Sequence, residues 1–197
     1  MSTQIMKPAP AFTARTVMPD DSVKEDFSSG AMEGKYWFLF FYPLDFSIVC
    51  PTEMLSLNER LEEFQARDCE VVAVSVDSQY SHLAWKQTSA ENGGIGPVRF
   101  PMVSDLDKSI SRAYGVLVDD TVSLRGTFLV DKNGIIRHAT LNDLDTGRNV
   151  QEMLRTLDAV RHIDETGNLC PANWDGSERK SATLPGVKKA VQTFDLG

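Results

Sequence analysis

Three cysteines occur among the 197 residues, Cys50, Cys69 and Cys170, each in a different local setting. Cys50 falls between the apolar run Tyr36-Trp37-Phe38-Leu39-Phe40-Phe41-Tyr42 and a stretch with helical spacing that opens at Pro51. Proline suits the first turn of a helix, where its missing N–H would have no partner. Cys50 is therefore expected at a helix N-terminus, where free N–H groups and the helix dipole favour an anion. The thiolate is the form of cysteine that attacks electrophiles, so Cys50 is the candidate nucleophile. Three positions on stands Glu53 rather than a second cysteine, which excludes a Cys-x-x-Cys dithiol. Any partner thiol must come from far along the chain. Cys170, 120 positions downstream in an irregular segment, is the candidate, whereas Cys69 opens a β-branched run and reads as core packing.

The elements that must carry these residues alternate between strand and helix. Strands are expected at Phe12–Val17, Lys35–Tyr42, Glu70–Asp77 and Pro101–Ser104. Helices are expected at Pro51–Arg67, Ser81–Ala90 and Lys108–Tyr114; the first carries Met54, Leu57, Leu61 and Phe64 on one face. Thr127–Val130 and Ile135–Leu141 flank Asp131-Lys132-Asn133-Gly134, and Asn-Gly is a strong hairpin signal. Val150, Met153, Leu154, Leu157 and Val160 mark a last amphipathic helix to about Asp164. Beyond Thr166 the periodicity is lost. A β-α-β crossover, a hairpin and a closing helix imply an α/β protein of thioredoxin-like arrangement: a mixed central sheet flanked by helices, plus a C-terminal arm. Residues 1–165 form the expected domain and residues 166–197 the arm bearing Cys170.

Composition narrows the function. Twenty Lys+Arg against 28 Asp+Glu give a net charge of −8, which argues against a nucleic-acid backbone binder. No apolar run approaches the roughly 20 residues that span a bilayer, and the first twelve residues contain no secretory signal pattern. Three cysteines are too few for a secreted disulfide framework, so a reducing cytoplasm is expected, where paired cysteines are usually catalytic or redox-sensing. Gly93-Gly94-Ile95-Gly96 lacks the setting of a phosphate loop. Asp145-Thr146-Gly147 copies an aspartic-protease triplet only once, and His82, His138 and His162 have no metal-ligand spacing. Trp85 reads as packing, and Trp174 as an anchor for the arm.

The segment from Phe40 to Glu53, FFYPLDFSIVCPTE, resembles the active-site segment of typical 2-Cys peroxiredoxins, including alkyl hydroperoxide reductase C-type proteins. The family's Pro-x-x-x-(Thr/Ser)-x-x-Cys appears as Pro43, Ser47 and Cys50. The likeness continues in order through Val74–Ser78, His82–Trp85, Arg125–Asp131, Gly147–Val150 and Cys170–Trp174, and so spans nearly the whole chain. The resemblance implies that Cys50 is the peroxidatic nucleophile and Cys170 the resolving cysteine, contributed by the other subunit. It further implies that Pro43 shields the thiolate, that Ser47 hydrogen-bonds it and the peroxide, and that Arg125 stabilises the thiolate and polarises the O–O bond. Arg148, held through Glu53, completes the charged lining. These residue types suit the reaction, which needs a thiolate, donors for a developing oxyanion and a permanent cation.

By the same resemblance the expected activity is thiol-dependent reduction of hydrogen peroxide and organic hydroperoxides, with no haem, flavin or metal cofactor of its own. The expected partners are a second copy in an antiparallel homodimer, a ring of five such dimers, and a thioredoxin-like protein or flavoprotein reductase as electron donor. Disulfide geometry requires the first turn after Cys50 to unwind and the Cys170 arm to loosen in each cycle. Two other readings remain: a disulfide closed within one chain, and a redox-switched holdase chaperone or peroxide-sensing scaffold. Members sensitive to over-oxidation pair the Gly93–Gly96 type of segment with a Tyr-Phe motif near the C-terminus. This tail ends Gln192-Thr193-Phe194-Asp195-Leu196-Gly197, so intermediate or robust behaviour is expected.

Overall fold

The computed structural model describes residues 4–176. The chain divides into two compact units, Met1–Leu154 and Arg155–Gly197. In chain order the elements are β1 (Thr13–Val17), β2 (Val23–Ser28), β3 (Tyr36–Phe41), α1 (Cys50–Glu59), α2 (Leu61–Gln65), β4 (Cys69–Ser75) and α3 (Gln79–Gln87). They continue with β5 (Met102–Ser104), α4 (Ser109–Ala113), β6 (Leu117–Val118), β7 (Val122–Ser123), β8 (Arg125–Val130), β9 (Ile136–Asn142) and α5 (Val150–Thr166).

Seven strands form one sheet in the order β2-β1-β5-β4-β3-β8-β9, and β6 and β7 pair separately. β3 runs parallel to β4, and β4 to β5, through crossovers carrying α1–α2 and α3. β8 lies antiparallel on the other side of β3, and β9 pairs antiparallel with β8 at the edge. This is the mixed, helix-flanked sheet expected from the sequence.

Strand β3 is central and buried at all six positions, which is why its sequence reads as a continuous apolar run instead of alternating. Trp37, Leu39 and Phe41 point to one face, in a cluster with Val72, Val74, Val103, Ile110 of α4, Tyr114 and Phe128. Phe38 and Phe40 point to the other. There Phe38 meets Phe64 of α2 edge-on, with ring centroids 5.7 Å apart. The five apolar positions marking α5 are all buried.

Two local readings are corrected, and the expected hairpin forms. The single helix 51–67 is two helices, broken at Arg60 (φ −106°, ψ 11°). The carbonyl of Asn58 accepts from the Arg60 N–H and from Arg99 Nη2, and its side chain accepts from the Arg99 N–H. Met54, Leu57, Leu61 and Phe64 are buried across the break, so the apolar spacing does not reveal it. Strand β2 was not expected, because only Phe27 of its six residues is buried. The 131–135 connection makes the hairpin, with Gly134 at φ 76°. Asp131 closes it by accepting from the N–H groups of Asn133 and Ile135, at 2.9 and 3.0 Å. The glycine segment after α3 is a packing loop. A side chain on Gly94 would meet the Thr88 carbonyl oxygen at 1.9 Å, while Ile95 is buried and Trp85 Nε1 donates to Gly93 O at 3.0 Å. The tail compared with the Tyr-Phe motif lies outside the described residues.

Lys86 of α3 has no exposed side-chain surface. Its ammonium donates to Met18 O (2.8 Å) and Pro19 O (3.2 Å) and pairs with Asp21 Oδ1 (2.7 Å), joining the β1–β2 turn to the helix. Lys86→Met fills similar volume but removes the donor to Pro19 O and the partner of Asp21, while Met18 O keeps the Asp21 N–H. A loss of about 1.5–3 kcal/mol, the range for hydrogen bonds to a charged group, is expected, measurable by urea unfolding with reduced thiols.

Candidate active site

The segment from Pro43 to Val49 carries the chain from the end of β3 to Cys50, the first residue of α1. Asp45 fixes it. Its buried carboxylate accepts from Tyr42 Oη at 2.7 Å and from Ser81 Oγ at 2.7 Å, and His82 Nδ1 lies 2.9 Å from Oδ2. The Asp45 N–H donates to Asp77 Oδ2 at 2.9 Å, an oxygen that also accepts from Ser75 Oγ at 2.7 Å. Burial, and then the Asp45 charge, raise the Asp77 carboxyl above its ordinary range. The next residue, Phe46, takes the left-handed conformation at φ 54°, uncommon for a side chain of its size. Sequence reading missed this anchor. Asp45 and His82 are 37 positions apart, and no short motif joins them.

The Cys50 thiol is fully buried. Arg125, the first residue of β8, places Nη1 3.3 Å from Cys50 Sγ and 2.7 Å from Glu53 Oε2. The other edge of its guanidinium is held by Leu144 O, which accepts from Nε at 2.9 Å and from Nη2 at 2.7 Å. Arg148 meets Glu53 from the opposite side: its backbone N and Nε donate to Oε1, both at 2.9 Å, and Nη2 donates to Oε2 at 3.0 Å. Its Nη1 donates to Gly126 O and Thr127 Oγ1, and its guanidinium lies over the Phe40 ring at 3.2 Å.

These contacts set the charges. Burial alone would raise the Glu53 carboxyl, but the hydrogen bonds and charge of Arg148, then the charge of Arg125, hold it below its ordinary value. Burial draws the Arg148 guanidinium down against the opposing pull of Glu53. For Arg125, burial is outweighed by the hydrogen bond and charge of Cys50 and then by Glu53, so its proton is held more tightly. Arg125 is thus a permanent cation in contact with a sulfur at a helix N-terminus. The α1 N-terminus has no side-chain cap.

Of the residues singled out in the sequence, Cys50, Glu53, Arg125 and Arg148 come together in one cluster, and Pro43 is buried at the start of the preceding segment. Ser47 lies on the same segment, with its hydroxyl hydrogen donated to Leu44 O at 2.9 Å. Cys69 is a buried thiol outside any disulfide, as expected of core packing. In the second unit Cys170 is partly buried, with Sγ 3.5 Å from Ala159 O. Trp174 stacks near His162 at 5.2 Å and its carbonyl accepts from Arg155 Nη1 at 2.9 Å. Burial, partly offset by Arg155, pushes the Cys170 thiol up. Among the described residues no helix is long and apolar enough to cross a membrane, and no cluster of residues could hold a metal ion.

Replacing the Glu53 carboxylate by an amide leaves two buried guanidinium groups with reduced compensation. Glu53→Gln is expected to lower stability by about 3–5 kcal/mol at pH 7, the range for breaking a buried pair. Because the folded carboxyl titrates below its ordinary value of 4.5, its contribution is present above that pH. It is lost as pH falls through the folded value. Urea midpoints of the two proteins should therefore converge in acid.

Residues 5–139 match the AhpC/TSA family. The chain is 48% identical over 190 residues to alkyl hydroperoxide reductase C of Helicobacter pylori, covering 95% of this chain and 96% of that protein. It is 46% identical over 194 residues to a thioredoxin peroxidase of Echinococcus granulosus, covering 98% and 100%. The reduced 2-Cys peroxiredoxin of Plasmodium vivax superposes with a TM-score of 0.88 at 46% identity, over 90% of this chain and 92% of that one. The chain belongs to the AhpC/TSA family, and is a peroxiredoxin, a thiol-dependent peroxidase.

Proposed function

We propose that Cys50 carries the peroxidase reaction on hydrogen peroxide and small organic hydroperoxides. The observation supporting this is the Arg125 Nη1 contact 3.3 Å from the buried sulfur. The Cys50 thiolate attacks one peroxide oxygen and an S–O bond forms. The O–O bond breaks, and its electron pair leaves with the second oxygen, which takes a proton to give water or an alcohol. Cys50 is oxidised to a sulfenic acid. Arg125 offers a cation to the developing oxyanion, Glu53 and Arg148 keep it in place, and Pro43 limits water at the sulfur. Ser47 can accept from a peroxide O–H as it stands, and donates to the thiolate on releasing Leu44 O.

The Cys170 thiolate then attacks the Cys50 sulfenic sulfur. A disulfide forms, and the hydroxyl leaves as water with one proton. Cys170 comes from a second copy in an antiparallel dimer, five such dimers form a ring, and the setting is the cytoplasm. A thioredoxin-like dithiol or a flavoprotein reductase supplies the two electrons that restore the thiols. The N-terminus of α1 carries no side-chain cap, so opening its first residues breaks no capping bond, while Glu53 stays held by Arg125 and Arg148.

Stoichiometric hydrogen peroxide should convert the reduced chain to a covalent dimer on a denaturing, non-reducing gel. The dimer should be absent in Cys170→Ser and reversed by a dithiol. A monomeric wild-type band with its thiols consumed would replace the intersubunit step by closure within one chain. Because burial raises the Cys170 thiol, disulfide formation should accelerate from pH 7 to 9 as its thiolate fraction grows, followed by stopped-flow fluorescence. Arg125→Lys keeps the charge but loses the fork. It should slow Cys50 oxidation by about a hundredfold, the scale of losing one oxyanion donor.

A further inference from the structure

We infer that Asn142 is a positioning residue for Arg125, acting through the turn 143–147. The inference rests on the reading of Arg125 as the cation at the reacting thiolate. Asn142 is the last residue of β9 and lies directly opposite Arg125 across the β8–β9 ladder. From there the chain leaves the sheet and must return a carbonyl to the arginine two residues later. Leu144 O does this, accepting from both Nε and Nη2.

Asn142 closes that return. Its Nδ2 donates to Thr146 O at 3.0 Å and to Gly147 O at 3.4 Å, while Asp143 Oδ1 accepts from the Asp145 N–H at 3.3 Å. Both partners of the Asn142 amide are carbonyl oxygens, so the group facing them must be the NH₂. The closed turn delivers two things to the site: Leu144 O to Arg125, and the Arg148 N–H to Glu53 Oε1 at 2.9 Å.

A guanidinium is a rigid planar fork, so fixing one edge fixes the direction of the other. With Nε and Nη2 on Leu144 O, Nη1 is left facing Glu53 Oε2 and Cys50 Sγ. If the turn opens, Leu144 O moves, the fork can rotate in its plane, and Nη1 loses its aim at the sulfur. The charge stays nearby while the directed hydrogen bond is lost. That separates positioning from simple electrostatics, and well-oriented contacts of this kind are sensitive to displacements of about 1 Å.

The test compares wild type with Asn142→Ala, with Asn142→Asp, which keeps the shape and loses the donor, and with Asp145→Ala as a control in the same turn. The first readout is the second-order rate of Cys50 oxidation by hydrogen peroxide. The second is the pH profile of Cys50 alkylation by iodoacetamide, read by mass on the Cys50 peptide. Both Asn142 variants should be oxidised about tenfold more slowly, with the alkylation profile moved to higher pH. The disulfide-forming step that follows should keep its rate, and Asp145→Ala should match wild type. Oxidation and alkylation within twofold of wild type in a folded Asn142 variant would overturn the inference, as would an equal loss in Asp145→Ala. Wild-type Cys50 that does not react with peroxide would instead remove the underlying reading of the site.

Discussion

The carboxylate of Glu53 is the group on which the rest of the site depends. Two guanidinium groups beside one thiol would repel each other in a buried setting, and each carries a desolvation cost. Glu53 resolves this by accepting four N–H groups, one from Arg125 and three from Arg148. It therefore binds α1, β8 and the segment before α5 into one unit. Since Glu53 lies three residues after Cys50 on α1, the pair also fixes the orientation of the helix turn bearing the thiol. The Arg148 guanidinium over Phe40 extends the same arrangement down to the central strand.

A second constraint holds the approach to that turn. The segment leaving β3 has no regular backbone pairing of its own, and Asp45 replaces it with contacts to Tyr42, Ser81, His82 and Asp77. These partners lie at the end of β3, just beyond β4 and on α3. The position of the thiol is thus set by the carboxyl ends of parallel strands, the region where open α/β sheets present their sites. Trp85 continues the contact on α3, packing near both Tyr42 and Phe46.

What could be read in the sequence divides along physical lines. β3 and β4 announce themselves because burial on both faces selects an uninterrupted apolar run, and the 127–141 hairpin does so through its turn residues. The break at Arg60 was hidden because apolar spacing is indifferent to a carbonyl diverted to Arg99. β2 was hidden because an edge strand with five unburied residues carries no alternation. In the site, Cys50 was legible from Pro51 and the flanking elements, whereas the gathering of Glu53, Arg125 and Arg148 followed from family resemblance alone. The donation of Ser47 to Leu44 O and the closing of the 143–147 turn by Asn142 depend on where a backbone carbonyl points, which no residue pattern encodes.

The side-chain contacts that build the site around Cys50 reach across long stretches of chain. Its own bond to Arg125 spans 75 positions, and the bond between Glu53 and Arg148 spans 95. Such pairings form late, after the loop-closure entropy has been overcome by the surrounding sheet. A chain that has folded only through α1 therefore has Cys50 without Arg125 beside it. The arginine contact of Cys50 thus belongs to the completed sheet, whereas its place at a helix N-terminus is set locally by Pro51 and α1.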